Sequence, residues 1–448
     1  MIAVRAEALA PAEAARRAAA EPGAFWLSTP APDEVGIARD LVGSGPIQIV
    51  RGRSVDDLER LERAWADARS AWAQGGEPPR AGVPAGVGWL SYELGRRLVG
   101  LAARGHEDGH EGGAEPLFEF HFHDAIWSRD AGGAATIFAR DDAAARRLAA
   151  ILDRPATSSR PATGPLEPAH PPAVFLNGVR RILDYLQAGD AYQVNLSRRL
   201  VATCGGGDPS FIAAALRAHA PAPHAAFIAA ADGGGADGWR ALIGNSPERF
   251  LSVDRAGVVE TRPIKGTRPR GPTAELDRAT AAELAASAKD RAEHVMIVDL
   301  ERNDLGRVCV TGSVEVASLA RAVALPTVHH LISTVRGVLR PEIGLGALLA
   351  ATFPGGSVTG APKRRAMQII DELEPTPRGA YTGATGWLGA AGDLDLAIAI
   401  RTAVVRDGRL TVSVGGGIVA DSTPETELEE TEVKARAWEA LCAAGRDH

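Results

Sequence analysis

The chain has 448 residues, of which 45% are hydrophobic and 23% charged, so it can bury a substantial core. This length suits two or three ordinary domains or one large α/β or α+β fold. Its 49 Lys and Arg against 56 Asp and Glu give a formal net charge of −7. Proteins that bind phosphate backbones carry a basic excess, so the balance argues against nucleic acid and leaves small charged metabolites open.

The cysteine content and the apolar runs indicate the cellular compartment. Cys204, Cys309 and Cys442 are too few and too scattered for a disulfide framework or a four-ligand zinc site. The first eleven residues lack the apolar core of a signal peptide, and no window approaches twenty consecutive apolar residues. We therefore expect a cytoplasmic protein with no membrane partner.

The N-terminal region, residues 1–153, mixes helix and strand patterns. Its polar, glycine-rich stretch 105–116 is predicted to be a mobile loop. The patterns predict amphipathic helices over residues 55–73 and 141–152 and strands over residues 86–94 and 117–127.

A change of composition separates this region from the rest of the chain. Residues 154–172 are too rich in proline and small polar residues for a helix or a strand, which predicts a linker before a C-terminal region, 173–448. Strands and helices alternate after the linker without a fixed repeat, which indicates a large α+β domain. The predicted strands cover residues 191–203, 226–231, 249–253, 313–320, 332–339, 384–388, 395–405 and 410–414, and the predicted helices cover residues 174–188, 273–287, 289–300, 344–351, 362–373 and 424–444.

One lysine lies in the unusual segment TRPIKGTRPRG, residues 261–271, which contains too much proline for regular structure. Gly266 would let a ligand approach the main chain, and Thr267 offers a hydroxyl. Lys265 is either a point charge for a carboxylate or a nucleophilic amine. A solvated basic turn is the alternative, because such loops are common on surfaces.

Two carboxylate pairs at i, i+3 spacing form a second candidate site. Asp290 and Glu293 lie in one predicted helix, and Glu427 and Glu430 lie in the last one. On a helix this spacing places both carboxylates on one face, and two such faces would suit Mg²⁺. The alternative is a pair of solvated helix starts, where acidic residues favour the helix dipole.

Further polar residues interrupt apolar patterns. Glu248 follows a proline at the mouth of a strand, where burial would raise the pKa of its carboxyl, although a surface position is more common. Gln193 and Arg401 lie inside predicted strands, and a buried Arg needs a partner that is either structural or a substrate carboxylate. Two glycine-rich turns, at residues 353–362 and 415–417, could present backbone N–H groups to an anion.

Seven segments in this order resemble the chorismate-utilising enzymes, the family of anthranilate synthase component I. The resemblance is close from residue 174 to the end and weaker over AGVGWLSYELGRRL, residues 85–98. It implies an α+β fold of two orthogonally packed β-sheets with outer helices and an active site in the central cleft. The segments are PIKGTRPRG, DRAEH, DLERNDLGRV, VHHLISTVRG, FPGGSVTGAPK, RGAYTGATGWL and GGGIVADSTPETELEETEVKA.

One position separates the branches of this family. Members that make anthranilate, isochorismate or salicylate resemble one another in carrying Ala where this chain has Lys265, whereas Lys is typical of members that make 4-amino-4-deoxychorismate for p-aminobenzoate and folate. The resemblance thus implies that Lys265 attacks chorismate covalently and that Glu248 is the general acid. Flanking Arg262, Arg268 and Arg270 are expected to help lower the pKa of the lysine.

The resemblance also implies the rest of the site. Glu293 and Glu430 would bind Mg²⁺ directly, with Asp290 and Glu427 reaching it directly or through water. Gln193 takes the place of a water-activating Lys of the isochorismate- and salicylate-forming members, which favours ammonia as the incoming nucleophile. The other substrate-binding residues implied are Gly266, Thr267, His330, Thr359, Tyr381, Arg401, Gly415, Gly416, Gly417 and Lys434.

No cysteine lies in a nucleophile-elbow context, so we expect a separate glutamine amidotransferase subunit to supply ammonia. Two other functions stay open. An anthranilate-forming enzyme would share chorismate, Mg²⁺ and ammonia but eliminate pyruvate. A catalytically silent chorismate-binding relative would keep only the pocket.

Overall fold

A computed structural model describes residues 1–29, 39–102, 115–156, 158–230, 241–325 and 328–444. The loop predicted at 105–116 falls almost entirely outside these residues. No helix among them combines the length and apolar character that a membrane crossing requires. The three cysteines are buried and unbridged.

Strands and helices alternate along the whole described chain. The strands are β1 (Ile2–Arg5), β2 (Phe25–Thr29), β3 (Arg39–Gly43), β4 (Gln48–Gly52), β5 (Pro84–Leu90), β6 (Phe118–Phe122), β7 (Ala125–Asp130), β8 (Ala135–Ala139), β9 (Glu167–Pro168), β10 (Gln193–Thr203), β11 (His224–Ala229), β12 (Ala241–Ser246), β13 (Arg249–Val253), β14 (Val258–Arg262), β15 (Ile264–Pro269), β16 (Glu315–Ala324), β17 (Val328–Val338), β18 (Gly360–Ala361), β19 (Ala384–Gly389), β20 (Leu394–Ile398), β21 (Thr402–Arg406) and β22 (Arg409–Ile418). The α-helices are α1 (Pro11–Ala18), α2 (Asp57–Ala73), α3 (Tyr92–Leu98), α4 (Asp142–Leu152), α5 (Pro172–Gln187), α6 (Ser210–His219), α7 (Ala274–Ala286), α8 (Ala288–Gly306), α9 (Leu345–Thr352), α10 (Lys363–Leu373) and α11 (Pro424–Ala444), with a 3₁₀ turn at Gly356–Val358.

Two antiparallel sheets organise the molecule, which confirms the α+β prediction. The 12-stranded sheet runs β1-β8-β7-β3-β2-β11-β12-β21-β22-β10-β18, with β9 also paired to β10. The 10-stranded sheet runs β15-β17-β14-β13-β20-β19-β5-β6-β4, with β16 also paired to β17. Each sheet therefore contains strands from both sides of residues 154–172. The short strand β9 lies within residues 154–172, so the expectation of no strand there was wrong, while the domain boundaries stay a prediction.

The main core lies between the sheets. It joins Phe25 and Ile228 of the first sheet to Phe120 and Leu396 of the second, all almost fully buried. Burying such side chains contributes about 1.5–3 kcal/mol each relative to leaving them exposed. Smaller clusters lie under α1, α4 and α6 and under α5 and α10, so the helices cover outer faces of the sheets.

Each predicted helix is present, and α8 continues to Gly306 beyond its predicted end. Several strand predictions were wrong in extent: 313–320 continues to Ala324, 332–339 begins at Val328, and 410–414 continues to Ile418. The pattern at 86–94 ends at Leu90 because helix α3 follows, and 117–127 contains two strands, β6 and β7. The 226–231 strand ends at Ala229, while 395–405 divides into β20 and β21. Apolar alternation continues through a tight turn, so it cannot locate such breaks.

Two segments predicted to be loops are strands. The lysine-bearing segment forms the end of β14 and all of β15, where Ile264 and Lys265 pair with β17. Gly415 to Gly417 belong to β22 and pair with residues 195–197 of β10. Proline at strand ends and glycine facing a neighbour are both compatible with a ladder, so composition alone misassigned these segments.

Candidate active site

Lys265 lies where the two sheets meet. A β-bulge separates it from Thr267, and Gly266 between them has φ +71°, which favours glycine. The Lys265 Nζ donates a 3.5 Å hydrogen bond to the Ser357 carbonyl. A Cβ placed on Gly417 of the other sheet would lie 3.2 Å from this Nζ. The bulge therefore aims the amine into the cleft between β15 and β22.

The pKa of Lys265 is lowered chiefly because burial disfavours its charged form. Carboxylates of Glu248 and Glu293 oppose this shift, and the nearby Lys434 ammonium adds to it. Arg262, Arg268 and Arg270 were expected to help lower this pKa, and that expectation was wrong. They bind carboxylates instead: Arg262 to Glu260 at 2.6 Å, Arg268 to Glu283 at 3.1 Å and Asp290 at 3.0 Å, and Arg270 to Asp277 at 2.6 Å.

Glu248 is buried between β12 and β13, with 4% of its surface exposed. Its carboxylate accepts a 3.3 Å hydrogen bond from the Ile264 N–H, next to Lys265. Burial raises the pKa of Glu248 to about 7, although the Lys265 charge acts against it. A carboxyl that holds its proton near neutral pH is suited to general acid catalysis.

The four predicted metal ligands lie on two helices, Asp290 and Glu293 on α8 and Glu427 and Glu430 on α11. Burial raises the pKa of Glu293 and of Glu427, and the charge of Glu430 adds to both shifts. Glu293 on α8 therefore lies near enough to Glu430 on α11 for the two carboxylates to affect each other. Burial also acts on Glu430, but its 2.6 Å ion pair with Lys434 lowers the pKa overall.

These carboxylates suit a hard cation in their chemistry. A Cβ on Gly416 would lie 3.1 Å from Oε2 of Glu427 and 3.4 Å from Oε1 of Glu430, so both oxygens point at one spot that only glycine leaves open. Within the described ranges no group of three or more His, Cys, Asp or Glu side chains is gathered tightly enough to hold a metal ion. The Asp290 carboxylate binds Arg268 at 3.0 Å, and Glu427 accepts from Ser422 at 2.6 Å.

Gln193 is fully buried on β10, beside the lysine. Its amide nitrogen and oxygen have no hydrogen-bond partner among the described residues. A Cβ on Gly417 would lie 2.8 Å from the Gln193 Nε2. A buried amide without a partner is costly, so its free groups are available to a polar ligand in the cleft.

His330 and Thr267 form the wall on β17 and β15. The Thr267 hydroxyl lies 3.0 Å from Nδ1 of His330, whose Nε2 has no partner within the described part of the chain. Burial lowers the pKa of His330 to about 4, with the Arg401 charge adding to the effect. This imidazole is therefore neutral at pH 7. Thr359 is buried and directs its hydroxyl to the Gly355 carbonyl at 3.0 Å, within its own turn.

Arg401 was expected inside a strand but lies in the break between β20 and β21, with φ +50°. Its guanidinium has no ion-pair partner among the residues described, and burial lowers its pKa. Tyr381 has 7% of its surface exposed, and the centre of its ring lies 5.9 Å from the Arg378 guanidinium carbon. Lys434 donates to the Gly415 carbonyl at 2.7 Å. The Arg401 guanidinium is thus a buried cation without a counter-ion among the described residues, and such a group suits an anionic ligand.

Two buried groups were missed by sequence reasoning. Glu301, on α8, accepts a 2.8 Å hydrogen bond from Thr261, and burial together with the Glu248 charge raises its pKa to about 8. Arg378 pairs with Glu374 at 2.7 Å. The i, i+4 spacing of Glu374 and Arg378 was visible in the sequence, but it is equally typical of exposed helix pairs.

Comparison with known proteins identifies the family to which this arrangement belongs. The model of the chorismate binding enzymes matches residues 22–439. The chain belongs to this family of chorismate-utilising enzymes.

Individual relatives carry two kinds of name. Over 252 residues the chain is 48% identical to aminodeoxychorismate synthase component 1 of Escherichia coli strain K12, which covers 56% of this chain and 54% of that protein. It is 44% identical over 275 residues to anthranilate synthase component 1 of Arthrobacter globiformis, covering 61% and 51%. The matches thus span about half the length of these relatives. A protein of Haloarcula marismortui named anthranilate synthase component 1 3 is 40% identical over 372 residues, covering 78% and 71%.

Solved structures share the whole fold. The crystal structure of anthranilate synthase component I from Streptococcus pneumoniae superposes with a TM-score of 0.73 at 29% identity, covering 91% of this chain and 94% of that one. MenF, the menaquinone-specific isochorismate synthase of Escherichia coli, gives 0.73 at 19% identity over 98% and 94%. This second likeness concerns the fold alone. The anthranilate-synthase type of fold expected from the sequence is confirmed.

Proposed function

We propose that the chain converts chorismate and ammonia to 4-amino-4-deoxychorismate, the aminodeoxychorismate synthase component 1 reaction, for p-aminobenzoate and folate synthesis. The observation that carries this proposal is the Lys265 amine, which faces the cleft beside a buried, proton-holding Glu248. Relatives named for this activity support it.

The chemistry uses both groups in their neutral forms. The Lys265 Nζ adds to C2 of chorismate, the ring double bonds shift, and the C4–O bond breaks. Glu248 donates its proton to the departing hydroxyl, which leaves as water. Ammonia then adds at C4, the double bonds shift back, and the C2–N bond breaks to release the lysine. Burial favours both neutral forms, the amine of Lys265 and the acid of Glu248.

Glu293 and Glu430 would hold Mg²⁺, with Asp290 and Glu427 assisting. The bound ion would supply positive charge for the ring carboxylate of chorismate. Lys434, which already bridges Glu430 and β22, would orient the same carboxylate.

Arg401 and Tyr381 suit the enolpyruvyl carboxylate, because the Arg401 guanidinium has no counter-ion among the described residues and lies near Glu248. His330, Thr267 and Gly266 would line the ring, and Gly415 to Gly417 leave room for it.

Ammonia rather than water would enter beside Gln193, because its neutral amide can accept a hydrogen bond from ammonia but cannot deprotonate water. We propose that a glutamine amidotransferase subunit delivers this ammonia, as the name component 1 of the relatives suggests. Ammonium salt should replace the subunit in the test tube.

The lysine can be tested directly because the chain contains only four lysines, Lys265, Lys289, Lys363 and Lys434. Incubation with chorismate and Mg²⁺ but no ammonia should add the mass of chorismate less one water, and peptide mapping should place it on Lys265. Lys265→Ala should lose the adduct and turnover while still binding chorismate. Lys289→Arg is the control and should retain both, because it keeps the positive charge that Lys289 places near Glu293, Glu427 and Glu430. Unchanged turnover of Lys265→Ala would remove the lysine from the mechanism.

The metal assignment has its own test. Glu430→Ala should lose both the activity and the response to added Mg²⁺, because it removes a ligand and the partner of Lys434. Glu429→Ala, one residue earlier on the same helix and exposed, should behave as the wild type. Full activity of the wild type in EDTA would contradict the assignment.

An anthranilate-forming reaction is the second candidate, and the Haloarcula marismortui relative, which matches 78% of this chain, favours it. That reaction shares chorismate, Mg²⁺ and ammonia but releases pyruvate and an aromatic product. Lys265 argues against it.

A further inference from the structure

We propose that Arg378 is a positioning residue that joins three walls of the candidate active site and sets its affinity for chorismate. This inference rests on the proposed function. Arg378 has 5% of its surface exposed and does not line the cleft as a ligand-binding group. It acts through the backbone segments that it ties together.

The first two walls are held through backbone carbonyls. The Arg378 Nη2 donates to the Asn195 carbonyl at 2.9 Å, and Nη1 donates to the Val358 carbonyl at 2.9 Å. Asn195 is two residues after Gln193 on β10, and Val358 lies between Ser357, which accepts from Lys265, and Thr359. The Asn195 N–H also donates to the Thr359 carbonyl at 2.9 Å. The strand of the glutamine and the turn beside the lysine are thus locked to each other.

The third wall is the turn of Tyr381. The Arg378 guanidinium lies 5.9 Å from the Tyr381 ring centre, and its Nη1 donates to the Thr382 hydroxyl at 3.2 Å. Thr382 has φ +57°, a conformation that is unfavourable for a β-branched residue and persists only where neighbours enforce it. Arg378 and the Ala399 carbonyl, which accepts from the Thr382 N–H at 2.9 Å, supply those restraints.

The charge of Arg378 is satisfied away from the cleft. Its Nε and Nη2 bind the two oxygens of Glu374 at 2.9 and 2.7 Å, and Ser197 donates to the same carboxylate from its N–H and hydroxyl. The ring centre of Tyr92 lies 4.6 Å from the guanidinium carbon. Because Glu374 neutralises its charge, the Arg378 guanidinium needs no substrate anion as a partner. Its planar set of donors instead holds the surrounding backbone in place.

The test replaces the planar guanidinium of Arg378 by an ammonium group, which keeps the positive charge. Lysine at this position can still pair with Glu374 but has no planar set of donors for the Asn195 and Val358 carbonyls and the Thr382 hydroxyl. Arg378→Lys should raise the KM for chorismate roughly tenfold, with a smaller change in kcat, because the pocket walls lose their fixed spacing. Equilibrium binding of chorismate, measured by calorimetry at low temperature, should weaken by a similar factor.

A matched control separates positioning from stability. Arg96 is a second buried arginine, with 4% exposure, that binds Asp371 through three hydrogen bonds and the Ala102 carbonyl at 2.9 Å but contacts none of the three walls. Arg96→Lys should lower the melting temperature while leaving the KM within about twofold of the wild type. Glu374→Gln, which keeps the Arg378 guanidinium and removes its counter-charge, should likewise affect stability more than KM.

The outcomes distinguish this inference from the proposed function. An unchanged KM and chorismate affinity in folded Arg378→Lys, or an equal shift in Arg96→Lys, would overturn the positioning role. Failure of the wild type to make aminodeoxychorismate would overturn the proposed function. The binding comparison between wild type and Arg378→Lys does not depend on which product forms, so it still decides the role of Arg378.

Discussion

At the scale of single residues, the candidate site depends on two groups that burial pushes toward their neutral forms. Burial raises the pKa of Glu248 to about 7 and lowers that of Lys265. Each shift, taken alone, removes a charge from the cleft. When both groups are ionised, the Lys265 ammonium and the Glu248 carboxylate stabilise each other. The amination chemistry needs the neutral amine and the protonated acid at once.

This arrangement predicts a bell-shaped pH dependence of kcat/KM. The reactive form needs Lys265 without its proton and Glu248, whose pKa burial raises to about 7, with its own. Activity should therefore fall both at low pH, where Lys265 is protonated, and at high pH, where Glu248 is ionised. Glu248→Gln cannot donate a proton to the leaving hydroxyl and should be inactive at every pH while still binding chorismate. A pH profile for Glu248→Gln that matches the wild type would contradict the general acid assignment.

Glu301 allows a test of stability against pH. A carboxyl whose folded pKa of about 8 exceeds its unfolded value of 4.5 destabilises the folded state progressively as pH rises from 4.5 to 8. Glu301→Gln keeps an oxygen for Thr261 and removes the titration, so the melting temperature should increase at pH 8 and change little at pH 4.5. Exposed Glu283→Gln is the control, and an equal or lower melting temperature for Glu301→Gln at pH 8 would contradict this account.

At the scale of elements, β22 matters because its glycines leave space against both the lysine and the acidic helix. Gly416→Ala would place a methyl group 3.1 Å from Oε2 of Glu427 and 3.4 Å from Oε1 of Glu430. We expect a weaker apparent affinity for Mg²⁺ with little loss of stability, measured by titrating activity with the metal. Gly206→Ala, whose methyl group would meet nothing within 4 Å, should leave the Mg²⁺ titration unchanged. An unchanged titration for Gly416→Ala would show that this glycine does not shape the metal site.

Helices were more predictable than strands for a physical reason. Long periodic segments such as 424–444 are specified locally, and α11 has those bounds. Strands depend on partners that are distant in sequence, so β15, which pairs with β17, looked like an irregular loop. Residue types in motifs indicated Lys265 and Glu248, whereas the break at Arg401 and the role of Arg378 arise only from tertiary contacts.

At the scale of the whole molecule, the sheets join the N-terminal and C-terminal regions. In the first sheet β2 pairs with β11, and in the second β5 pairs with β19. Residues 173–448 expressed alone would expose both strand edges and half of the core between the sheets. We expect that fragment to aggregate or to lack a cooperative unfolding transition, measured by calorimetry against the full chain. A cooperative transition and chorismate binding by the fragment would show that it is an independent domain.

The identity of the product tests the central claim most directly. Purified chain with chorismate, Mg²⁺ and ammonium salt should yield 4-amino-4-deoxychorismate by mass spectrometry, without pyruvate. Fluorescent anthranilate with one pyruvate per chorismate consumed would contradict the assignment and favour the anthranilate-forming reaction. No turnover, even with an amidotransferase and glutamine supplied, would indicate a chorismate-binding relative without catalysis.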